Sequence, residues 1–378
     1  MKFTTLVDNF KKSINLAEKI TGRNLTLPIL SNILLKTNKN KLHLFATDLE
    51  IGIELIITGK VEKEGMFIVP AKTFSMFLNS LSEEKIILEE NKNILSVKSG
   101  NYNTTFQGIK TEEFPIIPET KTEKYLEIEK KDLKEALEQI IPSVGYTSPK
   151  PELNGILFKL ERNASKNVLK LVGTDSFRLA EKRISSEKIK TNIKNDLELI
   201  IPLKTAQEVL RIIQDEMEEV GTIVKISPES NQIQFLLDNV RLISRLINAE
   251  YPKYSSIIPS SFENQVVLNR KRLIEAVKIV GLFSGKINDV VFDFNPSKKE
   301  IIIEAQDPSL GKSHTVFTPE DISGNPLKIS FNHFFLLDGL NSIKEDNVVI
   351  GLNKEINPAL IHGKSDNNFS YILMPIKA

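Results

Sequence analysis

A chain of 378 residues is too long for one ordinary core; at roughly 100–200 residues per domain it should hold two or three. Apolar residues make up 40% and charged residues 26%, a globular composition, and no apolar run nears the ~18 residues of a membrane-spanning helix. The absence of Cys excludes a disulfide framework and thiol chemistry, the four His are scattered, and 50 basic against 49 acidic residues leave a net charge of +1.

The opening MKFTTLVDNF is charged and polar where a signal peptide would be apolar, so a cytoplasmic protein is expected. Phe10, Ile14 and Ala17 then recur at i, i+4 and i+7, the spacing of one helix face. SNILLK from Ser31 and KLHLFA from Lys41 read as strands joined through the polar turn Asn38-Lys39-Asn40, and Thr47-Asp48 follows the second. The segment Phe67–Leu81 is an extended lead-in followed by a helical stripe at Phe74, Phe77, Leu78 and Leu81. Pro70 falls where the first turn of a helix tolerates proline, because the missing N–H would be unpaired anyway. Residues 110–122, rich in Pro, Glu and Lys and containing Phe114-Pro115, read as a linker.

The same series returns twice. Leu133, Leu137 and Ile140 precede NGILFK from Asn154, then Thr174-Asp175, then Leu199–Ile213 with Pro202 and a stripe at Ala206, Val209, Leu210 and Ile213. A linker over Ala249–Ser261, with Tyr251-Pro252, closes that copy. Leu273, Val277 and Val280 precede NDVVFD from Asn288, then Gln306-Asp307, then Lys328–Ile343 with a stripe at Leu336, Gly339, Leu340 and Ile343. Asn332 stands at the predicted N-cap of this last helix. The copies are offset by roughly 120–140 residues, about one domain each, and 378/3 is 126. Three tandem copies are therefore predicted, over 1–122, 123–254 and 255–378. Each is an α+β unit of two amphipathic helices on short antiparallel strands. Periodicity alone does not separate this from a triplicated scaffold without a specific partner.

Chemistry is missing from the pattern. Gly311-Lys312-Ser313 ends like a phosphate-binding loop, but that motif needs a glycine where Gln306 stands, and Pro308 removes an amide. No GxSxG frames a serine. The acids Glu83, Glu84, Glu89 and Glu90 flank Lys85-Ile86-Ile87-Leu88 and read as solvated surface rather than a metal site. Asn24-Leu25-Thr26 and Asn103-Thr104-Thr105 match glycosylation sequons, which matter only in a secreted chain. No catalytic group, metal or cofactor is predicted.

Blocks along the whole chain resemble the bacterial DNA polymerase III β subunit family, the sliding clamps. They are MKFTTLVDNFKKSI, Leu27–Leu35, Ala46–Ile53 and VPAKTF in the first copy. Glu152–Phe158, Thr174–Ala180 and Ala249–Pro259 follow in the second, and Ile329–Leu340 with Tyr371–Lys377 in the third. The resemblance implies a non-catalytic, head-to-tail homodimer, three domains per chain making a six-domain ring around double-stranded DNA. Such a ring holds DNA topologically and needs only weak, sequence-blind phosphate contacts. It implies as partners the replicative polymerase α subunit, a clamp loader and other proteins with a clamp-binding motif, and no membrane. A non-ring repeat protein that binds peptides or regulates a polymerase is the competing reading.

By the same resemblance Arg23 and Lys204 match DNA-contact positions. Thr147 stands where the family has Gln. Lys11, Lys12, Lys72 and Lys134 add positive charge to the helix-like segments. The junction between copies falls to Phe106, Leu282 and Phe283. A partner-peptide pocket falls to Leu153, Thr174, Phe177, Arg178, Leu179, Pro252, Ile257, Asn332, Phe335, Ile356, Pro358, Ile372, Met374 and Pro375. Two departures stand out: Ser176-Phe177 replaces the family's Gly-His before the Arg, and Pro151-Glu152 replaces its aromatic pair before the Leu. Both imply a more apolar groove near Phe177 and an altered preference for the peptide's first polar residue.

Overall fold

The computed structural model describes residues 1–22, 27–109, 113–118, 123–162, 167–215 and 223–377. Its helices fall in pairs, two per predicted copy: α1 (Val7–Ile20) and α2 (Ala71–Asn79), α3 (Lys130–Ile140) and α4 (Leu203–Asp215), α5 (Arg270–Gly281) and α6 (His333–Ser342). The rest is mainly short antiparallel strand, with a few one-turn 3-10 segments such as Pro28–Ser31 and Pro151–Asn154, so the expected α+β layout of two helices on sheet is the one observed. No described helix is long and apolar enough to cross a membrane.

The chain forms two compact units. Unit 1 comprises residues 1–133, 190–193 and 208–246, and unit 2 comprises 134–189, 194–207 and 247–378. In unit 1 a five-stranded sheet runs in the order 60–63, 2–6, 85–91, 94–99, 102–107. A nine-stranded sheet is continuous through the antiparallel pairing of Ile51–Thr58 with Val240–Arg245, in which Ile51 faces Ser244. The helices α1 and α2 close the core of unit 1. Phe10 and Phe74 meet edge to face at 5.6 Å, and Phe74 meets Phe106 at 5.1 Å.

Unit 2 has the matching pair of sheets. Its nine-stranded sheet is made continuous by Arg178–Ser185 pairing with Phe369–Leu373, in which Arg178 faces Leu373. Its four-stranded sheet runs 311–317, 300–307, 289–295, 327–332. The decoy Gly311-Lys312-Ser313 opens the second strand of a hairpin, with Asp307 opposite Gly311, as a turn reading requires.

Local rules account for the helices. All nine stripe positions of α1, α3 and α5 are buried, while Phe77 and Leu210 in the second set are half-buried. Asn332 caps α6 through its side-chain oxygen, which accepts from the amides of Phe334 and Phe335 at 3.0 and 3.3 Å. Asn269 does the same for α5 through Arg272 at 3.1 Å, a cap the sequence pattern did not single out. Pro70 stands one residue earlier than expected: it is the N-cap of α2 and the last residue of strand Gly65–Pro70. Lacking an N–H, it can end a ladder but not continue one. Gly339 interrupts the α6 stripe because the Tyr371 ring lies there; a Cβ would sit 2.4 Å from it.

Candidate functional site

The matched pocket residues all belong to unit 2, and a five-residue turn organises them. Asp175 Oδ1 accepts from the amides of Phe177 and Arg178 at 2.9 and 3.0 Å, and Thr174 Oγ1 donates to the Arg178 carbonyl at 2.7 Å. Ser176 takes φ +78°, a left-handed conformation that glycine fills without strain and other residues enter rarely. The turn thus leaves Phe177 exposed and directs Arg178 inward.

Arg178 is held on three sides. Its Nε donates to Asp175 Oδ2 at 2.9 Å, its Nη1 to Asp338 Oδ2, and its guanidinium lies 4.3 Å from the centre of the Phe335 ring. A cation over a ring face and two charge-assisted hydrogen bonds fix both partners. Phe335 also stacks with Phe177 at 6.3 Å, and its carbonyl accepts from the Tyr371 hydroxyl at 2.6 Å. Met374 is tied to the same turn, its amide donating to the Phe177 carbonyl at 2.9 Å. Phe177, Arg178, Phe335 and Met374 are therefore one constellation drawn from three distant parts of the chain.

Two further matched residues follow Arg178 and precede Met374 in the strand pair. Leu179 and Ile372 face each other across the strand pair and pack with Leu157, Val172, Ile200 and Tyr251 in one buried cluster. Leu153 is buried in the one-turn segment Pro151–Asn154. Pro252, Ile257 and Ile356 are exposed, while Pro358 and Pro375 are half-buried. Pro358 directly precedes strand Ala359–Gly363, whose Ala359 faces Leu373.

Sequence reasoning missed the clasp that holds the linker. Glu181 is 2% exposed and accepts from the Tyr254 hydroxyl at 2.6 Å and from Arg183 Nε at 2.7 Å. Burial, then the hydrogen bond to Glu181, raises the Tyr254 pKa, so the hydroxyl stays a donor. Tyr251 anchors the other end of this stretch by donating to the Val172 carbonyl at 3.2 Å. Asp338 was missed too, although one acid inside the apolar run FFLLDGL is a signal that could have found it.

The matched DNA-contact residues are more dispersed. Arg23 lies outside the described residues. In unit 1, Lys12 and Lys72 are exposed on α1 and α2, whereas Lys11 donates to the Leu81 carbonyl at 2.5 Å, just beyond the end of α2. In unit 2, Lys134 lies 3.9 Å from Glu138. Thr147 and Lys204 are exposed, and Gln207 meets the Tyr146 hydroxyl at 3.4 Å. Because Gln207 lies three residues after Lys204 on the same helix face, this contact places the Thr147 loop beside the first turn of α4.

The residues matched to the junction differ sharply. Phe106 is 8% exposed, enclosed by Phe74 and Phe77, while Leu282 is 72% exposed and Phe283 half-buried. Among the described residues no group of His, Cys, Asp or Glu is placed to hold a metal ion.

Three copies of a two-helix, antiparallel-sheet repeat, joined by strand pairing in one recurring register, define a clamp-type repeat protein. Family profiles for the DNA polymerase III beta subunit match its N-terminal domain at residues 1–118, its central domain at 127–253 and its C-terminal domain at 255–377. Beta sliding clamps of Staphylococcus epidermidis and Staphylococcus aureus are 26% and 25% identical, each match covering 100% of this chain and 99% of the relative. The crystal structure of a sliding clamp from Pseudomonas aeruginosa bound to griselimycin is 25% identical and superposes with a TM-score of 0.92 over 100% of both chains. A Bartonella birtlesii clamp bound to griselimycin gives the same identity, TM-score and coverage. The chain belongs to the DNA polymerase III beta subunit family, the beta sliding clamps, which are non-catalytic processivity subunits.

Proposed function

We propose that two copies of this chain close head to tail into a six-domain ring around duplex DNA and tether the replicative polymerase in the cytoplasm. The observation that carries this reading is a pair of open sheet edges. Strand Tyr102–Gln107 ends one sheet and strand Gly311–Phe317 ends another, each paired on one side only among the described residues. An edge presents a row of unpaired N–H and C=O groups ready for another strand. Joining the two edges in trans, with exposed Leu282 beside the contact, makes two identical junctions that close instead of growing into a filament. The three repeats divide at 122/123 and 254/255.

Arg23, Lys204, Thr147 and the α-helical lysines 11, 12, 72 and 134 supply weak phosphate contacts, because a topological hold needs no tight ones. The groove at Phe177, Arg178, Phe335 and Met374 receives an extended, apolar-rich peptide from the polymerase α subunit, the clamp loader or another partner. Apolar walls with a few fixed polar groups suit that role. The test is retention on DNA. Loaded protein should stay on closed circles at high salt and leave when the circle is cut, whereas an ordinary phosphate binder loses affinity with salt on both. Equal salt sensitivity on circular and linear DNA would reject the ring.

A further inference from the structure

Unit 1 contains a groove over a turn assembled in the same way as Thr174–Arg178. In the turn Thr47–Ile51, Asp48 Oδ1 accepts from the amides of Glu50 and Ile51 at 3.0 and 2.7 Å, and Thr47 Oγ1 donates to the Ile51 carbonyl at 2.9 Å. Leu49 has φ +77°, against +78° for Ser176. Ile51 faces Ser244 as Arg178 faces Leu373, and the Arg245 amide donates to the Glu50 carbonyl at 3.0 Å as Met374 does to Phe177 at 2.9 Å. By this register Arg245 occupies the place of Met374, and Glu50 that of Phe177.

The groove is walled rather than open sheet. A concavity of about 310 Å³ lies over the turn, with Leu49, Ile116, Pro118 and Ile243 on its apolar side. Its linker wall is clasped: Arg241 donates through Nη1 to the Pro118 carbonyl at 3.2 Å and through Nε to Glu54 at 2.7 Å. Ile117 rests on Gly52, where a Cβ would approach to 3.0 Å. Glu54 stands three residues after Ile51, as Glu181 stands three after Arg178, so a carboxylate at one repeat position ties down both linkers.

We propose that this groove binds a second extended peptide, one that places an apolar side chain against Ile116 and Leu49 and a carboxylate on Arg245. The proposal rests on reading the unit 2 groove as a peptide site, and charge selects its occupant. Arg245 and Glu50 are 67% and 65% exposed and only 3.6 Å apart, a loose pair that holds weakly. Glu50 can turn to solvent, leaving a planar guanidinium that meets a carboxylate with two parallel hydrogen bonds. A lysine-bearing peptide would gain only a point contact with Glu50, without the two parallel hydrogen bonds that a guanidinium gives a carboxylate. The two grooves therefore select different sequences.

Fluorescence anisotropy on the full chain tests this with three labelled peptides that alternate leucine with aspartate, lysine or glutamine. The leucine–aspartate peptide should bind Met374→Ala protein as well as the unsubstituted chain. Arg245→Met should lower its affinity roughly tenfold, the loss expected for one charge-assisted pair. Ile116→Ser, at a side chain 93% exposed and so without cost to the fold, should also weaken it. Undiminished binding in both variants overturns the proposal, as does equal affinity for the leucine–lysine peptide. So does loss of the aspartate peptide on Met374→Ala alone. The leucine–glutamine peptide reads unit 2 separately: its indifference to Met374→Ala would reject that groove while leaving the Arg245 result to stand or fall by itself.

Discussion

The Glu181 carboxylate, buried in a strand of unit 2, accepts a 2.6 Å hydrogen bond from the hydroxyl of Tyr254, seventy-three positions later in the linker. Its second oxygen is taken by Arg183. The charge is therefore satisfied from both sides, and the linker that carries Pro252 and Ile257 is fixed against the sheet. In the first repeat Glu54 holds its own linker through Arg241.

Tyr254→Phe should destabilise the protein by about 1.5–3 kcal/mol, since it removes a hydrogen bond to a buried charged acceptor. Denaturant unfolding measures this, and limited proteolysis within the linker should accelerate. An unchanged unfolding midpoint would show that the clasp contributes nothing.

Glu54 gives stability a defined pH dependence. Burial pushes its carboxyl up, but the hydrogen bond from His43 and the charge and hydrogen bond of Arg241 outweigh that and hold its pKa below the ordinary 4.5. A carboxyl with a depressed folded-state pKa contributes stability that is fully present above the unfolded value and is lost as pH falls through the folded one. Thermal melting of the natural chain should thus decline more steeply below about pH 4.5 than that of Glu54→Gln. Parallel pH profiles for the two proteins would contradict this assignment.

Phe106 and Leu282 should separate folding from assembly. Phe106→Ala empties a buried aromatic cluster and should cost about 3–5 kcal/mol of stability. Leu282→Ala removes an exposed side chain, so the fold should keep its stability while the dimer, about 85 kDa from 2 × 42.7, dissociates. Native mass spectrometry and thermal melting on both variants read the two effects. A Leu282→Ala dimer of undiminished stability would place the junction elsewhere.

Met374→Ala should weaken a polymerase-derived peptide by about 1–2 kcal/mol, as expected for a central contact, and leave the dimer intact. Asp338→Asn should act on the same peptide indirectly, by releasing Arg178 from its seat on Phe335. Calorimetric titration gives both values. Full affinity in both variants would mean that partners dock away from this groove.

What the sequence determined by itself was local. Phe10, Ile14 and Ala17 and their counterparts were legible as buried faces because a helix repeats every 3.6 residues whatever it packs against. The Asn332 cap was legible because its bonds reach only to Phe334 and Phe335. Triplication itself could be counted from recurring blocks. Phe106 shows the limit, since its contact with Phe74, thirty-two positions earlier in the chain, follows no local spacing. Arg178 with Asp338, Glu181 with Tyr254 and the pairing of Ile51–Thr58 with Val240–Arg245 join residues 73 to roughly 190 positions apart, beyond the reach of any local spacing rule. Only the tertiary structure decided them, because strand register and the desolvation of a charge are set by what the folded chain brings alongside.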